Sequence, residues 1–250
     1  MDDRRKTLLR EVFGESSDEE NDHGVFQYLG SVSVEAPIEQ SDALIPSWTR
    51  IDELPGLWLC KDFISVQEQA SLLLDIDKEG WFSESSSNQA MRFGDLPQWA
   101  LELSIYIRDG LFNEHDSSNG HNEALSLPLK LWQREPLFDQ LIVNMYQPGE
   151  GICAHVDLMR FEDGIAIVSL ESSCIMHFSP VEGKASENMC LSETKIPVHL
   201  TPGSLVLLSG EARYHWKHEI NREPGFQIWN GREISQKRRI SITLRKLCPS

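Results

Sequence analysis

No stretch of this chain approaches the roughly 18 consecutive apolar residues that a membrane-crossing helix needs, so no transmembrane segment is expected. The opening run Met1-Asp-Asp-Arg-Arg-Lys6 is not followed by an apolar region, which argues against a secretory signal. No two of the five cysteines (60, 153, 174, 190 and 248) form a CxxC pair, and their number is odd. Reduced thiols in an intracellular protein, cytoplasmic or nuclear, are the expectation. Basic charge is also scarce: 23 Lys and Arg face 39 Asp and Glu, a net charge of −16. Residues 1–50 contribute −6 of this, so the remaining 200 are acidic in their own right. Proteins that live by non-specific phosphate contacts are normally basic, so any nucleic-acid role must rest on a local basic patch.

What is present suffices for a real core, with 40% hydrophobic residues, seven Trp and ten Phe. Residues 1–50 read as an acidic, disordered tail. Gly14–Asp22 is an acidic run, Ser16 and Ser17 precede acids that suit an acidophilic kinase, and the tail is a candidate segment for binding a protein partner. Residues 51–250 read as one domain, expected to be monomeric. Leu57–Cys60 predicts a short strand, and Ser65-x-x-Glu68 a capping box opening a helix to about Lys78, with Val66, Ala70, Leu73 and Leu74 at helical spacing. Glu79–Phe93 reads as a loop or lid. Pro97 opens a second helix to about Arg108, and 110–126, with His115 and His121, reads as mostly loop.

From Phe138 onward short strands follow one another. They are expected at Gln140–Tyr146, Gly151–Asp157, Gly164–Phe178, Ile196–Leu200, Leu205–Ser209, Tyr214–Ile220 and Arg239–Lys246. Gly- and Pro-containing breaks with no helical pattern between them predict an antiparallel sandwich or jelly roll, mainly β, with the two helices buttressing one sheet (α+β).

The stretch Asn144-Met-Tyr-Gln-Pro-Gly-Glu-Gly-Ile-Cys-Ala-His-Val-Asp157 carries the chemistry. His155 and Asp157 stand two apart in extended sequence, so both project to one side. An imidazole and a carboxylate there supply two of the three ligands of a two-His, one-carboxylate face suited to non-haem Fe(II). His177, His199, His215 and His218 are all candidates for the third, and periodicity does not choose between them. On the final strand Arg239, Ser241, Thr243 and Arg245 share one face, opposite Ile240, Ile242 and Leu244. A buried arginine there suits a dicarboxylic keto acid, whose carboxylate its planar fork can pair bidentately. The polar outer face of an edge strand, or a phosphate-binding patch with Lys237, Arg238 and Lys246, reads equally well from the residues alone.

The blocks NMYQPGEGICAHVD, GEARYHWKHEI and RRISITLRK together resemble the AlkB family of Fe(II)- and 2-oxoglutarate-dependent dioxygenases, in particular the AlkB domain of its tRNA-modifying homologues. The likeness is strong over 138–247 and faint over 54–137. It implies a double-stranded β-helix, with Fe(II), 2-oxoglutarate and O2 as the reaction's requirements. It further implies iron ligation by His155, Asp157 and His218, with the distal carboxylate of 2-oxoglutarate on Arg239. Asn144 and Tyr146 are then hydrogen-bonding partners of the co-substrate, Arg245 a cofactor-binding neighbour of its carboxylate or of the reaction centre, and Thr243 a pocket-lining residue. Where the family usually carries a glycine, this chain reads Ser169-Leu-Glu-Ser-Ser173. Trp81, Arg92 and Phe93 are the candidates for gripping a base.

The implied activity is oxidative demethylation or hydroxylation of a modified nucleobase in RNA or DNA, an N-methyl group leaving as formaldehyde. The acidic folded part favours a competing reading as a protein hydroxylase or lysine demethylase. A non-catalytic binding module on the same fold is the third.

Overall fold

The computed structural model describes residues 47–84, 87–117, 131, 133–181 and 195–249. Two antiparallel sheets dominate it. The larger has seven strands in the order β1-β2-β9-β6-β13-β4-β3: β1 (Ser47–Arg50), β2 (Leu57–Lys61), β3 (Gln89–Phe93), β4 (Gln140–Tyr146), β6 (Ile165–Leu170), β9 (Leu205–Leu208) and β13 (Arg239–Arg245). The smaller runs β5-β10-β7-β8, from β5 (Ile152–His155), β7 (Cys174–Pro180), β8 (Ile196–Leu200) and β10 (Trp216–Ile220). The helices are α1 (Val66–Lys78), α2 (Gln98–Ser117) and the short α3 (Gly210–Tyr214). Mostly β, with few helices, this is the jelly-roll architecture expected from the strand pattern.

Strand alternation divides the large sheet between two cores. Leu141, Val143, Ala166, Val168, Leu205, Leu207, Ile240, Ile242 and Leu244 face the helices, where Leu72, Ile76, Trp99, Leu103 and Ile107 complete the packing. Ile165, Ile167, Val206 and Leu208 face the small sheet, meeting Cys174, Met176, Phe178, Val198 and Leu200. Consequently Arg239, Ser241, Thr243 and Arg245 point between the sheets, because Ile240, Ile242 and Leu244 are committed to the helix side. Among the described residues, no helix is long and apolar enough to cross a membrane.

Several expectations need correction. The capping box on α1 is present, Ser65 Oγ accepting from Glu68 N while Glu68 Oε2 accepts from Ser65 N. Its buried stripe, however, is Leu72 and Ile76, whereas Val66 and Leu74 are exposed. Helix α2 runs past Arg108 and through Gly110. That glycine is no breaker: a Cβ there would stand 2.9 Å from Phe63 Cε2, so its bareness lets the helix approach the Phe63 ring, and Leu111 behind it is buried. Residues 89–93, expected as loop or lid, form edge strand β3, which among the described residues pairs only with β4 and is mostly exposed, which is why they carry no apolar alternation.

The expected single strand Gly164–Phe178 is two strands in different sheets, separated by Glu171 at φ 71°. Tyr214–Ile220 begins in α3 and becomes β10 only at Trp216. A small hairpin of β11 (Ile228–Trp229) and β12 (Arg232–Glu233) turns through Asn230-Gly231, both at positive φ, the signature of a tight hairpin turn. β1 falls within the last four residues of the segment assigned to the tail; residues 1–46, with Ser16 and Ser17, lie outside the described residues, as do His121 and the side chain of His115.

Candidate metal centre

β5 ends on His155 and pairs antiparallel with β10 such that His155 and His218 are direct partners. Their rings lie 4.3 Å apart, centroid to centroid. Asp157 follows two residues after β5. Its carboxylate joins the pair, and the candidate ligand atoms of His155, Asp157 and His218 all lie within 4.8 Å of one another. The other three histidines lie elsewhere. His177 pairs with Glu219 across β7–β10 and stands edge-on to Phe226, His199 stacks on Trp229, and His215 caps α3.

Each member of the cluster is prepared by its surroundings. His155 Nδ1 lies 2.8 Å from the Cys153 carbonyl; a proton donated there leaves the Nε2 lone pair for a metal. His218 is buried, which lowers its pKa to about 4, partly opposed by the Asp157 carboxylate and reinforced by His155, Arg245 and Arg213. It is thus a neutral imidazole at neutral pH, as a metal ligand must be. Asp157 is buried with Oδ1 2.5 Å from Arg245 Nη2 and Oδ2 3.7 Å from His218 Nε2. The loop after it is pinned by Arg213, a fully buried side chain from α3 that donates to the carbonyls of Asp157 (3.0 Å), Leu158 (2.8 Å) and Phe161 (3.1 Å).

Toward the large sheet, Arg239 stands opposite Tyr146 in the β13–β4 ladder, its guanidinium carbon 5.5 Å from the Tyr146 ring centroid. It is fully buried. Nη2 donates to Ser169 Oγ at 2.9 Å, while Nε and Nη1 have no partner among the described residues. Buried guanidinium nitrogens left open in this way suit an incoming anion. Burial raises the Tyr146 pKa against the opposing charge of Arg239, keeping the phenol a donor. Asn144 Oδ1 accepts from Gln89 Nε2 at 2.7 Å, leaving its own amide hydrogens to offer. Thr243 is buried on the same face of β13 as Arg239 and Arg245. Two imidazoles and a carboxylate suit Fe(II) with open positions, and the open Arg239 suits a carboxylate; the residues fit both groups.

The three candidate base-gripping residues do not share one face. Arg92 lies on the helix side, its guanidinium 4.6 Å from the centre of Trp81, which is half-buried against Trp99. Phe93 projects to the other side of β3, exposed, with Arg160 5.5 Å from its ring centre. Two side chains at the site are not singled out by the sequence reading: Arg213 and the Ser169 hydroxyl. Neither carries a periodic signal, although Ser169 opens the segment that departs from the family's glycine.

Residues 56–245 match the profile of the 2OG-Fe(II) oxygenase superfamily. The chain is 31% identical over 222 residues to an Arabidopsis thaliana protein named alkylated DNA repair protein ALKBH8 homolog, covering 78% of this chain and 59% of that one. It is also 31% identical over 171 residues to the Xenopus tropicalis tRNA (carboxymethyluridine(34)-5-O)-methyltransferase alkbh8, covering 66% of this chain and 25% of that one. It therefore spans about three fifths of the first relative and a quarter of the second. The solved structure of OsALKBH1 superposes with a TM-score of 0.54 at 16% identity, over 80% of this chain and 100% of that one, which supports the fold. With the fold and the site pointing the same way, the family profile, which spans most of the chain, shows that the chain belongs to the 2OG-Fe(II) oxygenase superfamily, whose chemistry uses Fe(II), 2-oxoglutarate and O2.

Proposed function

We propose that this chain is a dioxygenase of AlkB type that oxidatively demethylates or hydroxylates a modified nucleobase in RNA or DNA, with His155, Asp157 and His218 holding the iron and Arg239 the distal carboxylate of 2-oxoglutarate. The observation that carries the reading is the convergence of those three side chains beside a buried arginine whose Nε and Nη1 are open. Iron and 2-oxoglutarate together supply oxygen activation, the keto acid leaving as succinate and CO2 while a substrate C–H gains a hydroxyl. The chain's own residues do the rest. His155 offers Nε2 because Cys153 holds Nδ1, burial keeps His218 unprotonated, and Arg213 fixes the loop that presents Asp157. Asn144 and Tyr146 donate to the co-substrate, and Thr243 lines its pocket.

Nucleic acid as substrate is supported by the names of the relatives, one of DNA repair and one of tRNA modification. The exposed Phe93 with Arg160 beside it offers a local cationic, aromatic rim despite the acidic whole. The second reading, a protein hydroxylase or lysine demethylase acting on basic segments, rests on the charge of −10 that residues 51–250 carry out of the total of −16. Succinate release with Fe(II), 2-oxoglutarate and ascorbate decides between them. Stimulation by methylated RNA or DNA supports the first reading; stimulation by methyl-lysine peptides alone moves the substrate to protein. No succinate under any condition leaves the non-catalytic module. An intracellular monomer is the setting we propose for it.

A further inference from the structure

Arg222 lies in the loop after β10, only 6% exposed, and none of Nε, Nη1 or Nη2 has a hydrogen-bond partner among the described residues. A buried guanidinium with every donor open is rare, because desolvating a charge without a counter-group costs several kcal/mol, about as much as breaking a buried ion pair. Its neighbours make the case sharper. Arg222 lies within electrostatic reach of Arg239, a like charge, and of the Tyr146 phenol. Burial, the largest cause, lowers its pKa and the Arg239 charge lowers it further, opposed by Cys174 and Tyr146.

The chain nevertheless takes trouble to keep it there. Gln236 Nε2 donates to the Arg222 carbonyl at 2.8 Å while Gln236 Oε1 accepts from Gly149 N at 3.0 Å, tying the loop to the turn before β5. Gly151 is bare where it passes this loop. A Cβ there would stand 2.0 Å from the Ile220 carbonyl oxygen and 3.3 Å from Arg222 Cγ. The glycine thus lets the backbone close over the arginine's stem.

We infer that Arg222 is a second guanidinium for the distal carboxylate of the co-substrate, facing Arg239 across one anion site. The stoichiometry of donors and acceptors agrees. A carboxylate has about four lone-pair positions and accepts from two forks at once. Arg239 has Nε and Nη1 open, and Arg222 has Nε, Nη1 and Nη2. A single carboxylate between them relieves the repulsion of the two cations as well as satisfying their donors, so the site selects a dianionic keto acid over a monoanionic one. The assignment rests on the proposed function, since the anion is the co-substrate named there.

The test is direct binding of two keto acids to the metal-loaded full chain by calorimetry: 2-oxoglutarate, and 2-oxopentanoate, which has the same chain length and no distal carboxylate. Arg222→Gln is expected to weaken 2-oxoglutarate about tenfold or more and 2-oxopentanoate less than about twofold. The same substitution is expected to leave the melting temperature of the ligand-free protein unchanged or raised, because it removes an uncompensated charge, whereas loss of a purely structural arginine would lower it. Arg222→Lys, retaining charge without the fork, is expected to fall between wild type and Arg222→Gln.

Unchanged 2-oxoglutarate affinity in Arg222→Gln, an equal loss for both acids, or a lowered ligand-free melting temperature overturns the inference. If Arg222→Gln does not fold, the lysine variant decides by the same two affinities. Arg239→Gln separates this from the broader reading. Loss in that variant with no loss in Arg222→Gln defeats only the second guanidinium; no 2-oxoglutarate binding by wild type defeats the proposed function itself.

Discussion

The two ends of the site are charged in opposite ways before anything binds. At the Asp157 end the carboxylate already has Arg245 at 2.5 Å and His218 beside it, so the negative charge is compensated within the chain. At the Arg239 end two buried guanidiniums face one another's charge with most of their donors open. The first end is built to be stable while empty, since removing a buried charge's partner is what destabilises. The second is built to gain on binding, since its ligand supplies the missing charge. A metal joining Asp157 must share that carboxylate with Arg245, whereas a dicarboxylate entering the other end displaces no ion pair.

The largest effect should come from breaking the compensated end. Asp157→Ala is expected to abolish iron binding and 2-oxoglutarate turnover and to destabilise the fold by about 3–5 kcal/mol, because Arg245 is left largely buried and without its carboxylate. Iron content and denaturant unfolding measure the two. His155→Ala should abolish iron binding equally while costing far less stability, since His155 is only half-buried and compensates no charge. Equal destabilisation by both would erase the distinction.

Next in size is Arg239→Gln, expected to raise the 2-oxoglutarate dissociation constant by roughly 30-fold or more, from a loss of about 2–5 kcal/mol, with iron content retained. Iron loss in this variant would mean that the two ends are not separable.

Smaller again is a pH effect on the metal-free protein. The folded pKa of His218, about 4, lies below its ordinary 6.5, so the unfolded chain binds the proton first. The stability this represents is present above pH 6.5 and is lost as the pH falls toward 4, with a slope of at most about 1.4 kcal/mol per pH unit. Denaturation midpoints over that range should follow this slope, and His218→Gln should flatten it. Smallest of all, His215→Ala should leave iron content unchanged by elemental analysis, because His215 belongs to the α3 cap.

Much of this was legible in the sequence, for reasons that also explain what was not. Period-two alternation in Arg239–Arg245 assigned both faces of β13, because Ile240, Ile242 and Leu244 can only be core. The HxD doublet was legible because both residues belong to one strand and the turn following it. The choice of His218 among four histidines was not legible from periodicity, since it depends on the β5–β10 register, a long-range pairing that no local window contains; only the family resemblance pointed to it. Helix α1 was assigned in extent but not in orientation, because the exposed Val66, Ala70 and Leu74 recur every four residues just as the buried pair Leu72 and Ile76 does. Strand β3 was missed because an exposed edge strand has no apolar face to reveal it. Arg222 was missed because a lone arginine between Asn221 and Glu223 acquires meaning only from its burial and from Arg239 nearby.

One consequence follows from where β5 lies. Among the described residues it is the border strand of the small sheet, joined to the rest only through β10, and it carries His155 at its end. A border held from one side unzips more readily than an interior strand. An ion bridging His155 and His218 would stitch that border to its neighbour, so loading should slow amide hydrogen exchange across Ile152–His155 far more than in β13, which is flanked on both sides by β4 and β6. The rim of the sheet is thereby the part of the backbone that the ion would quiet.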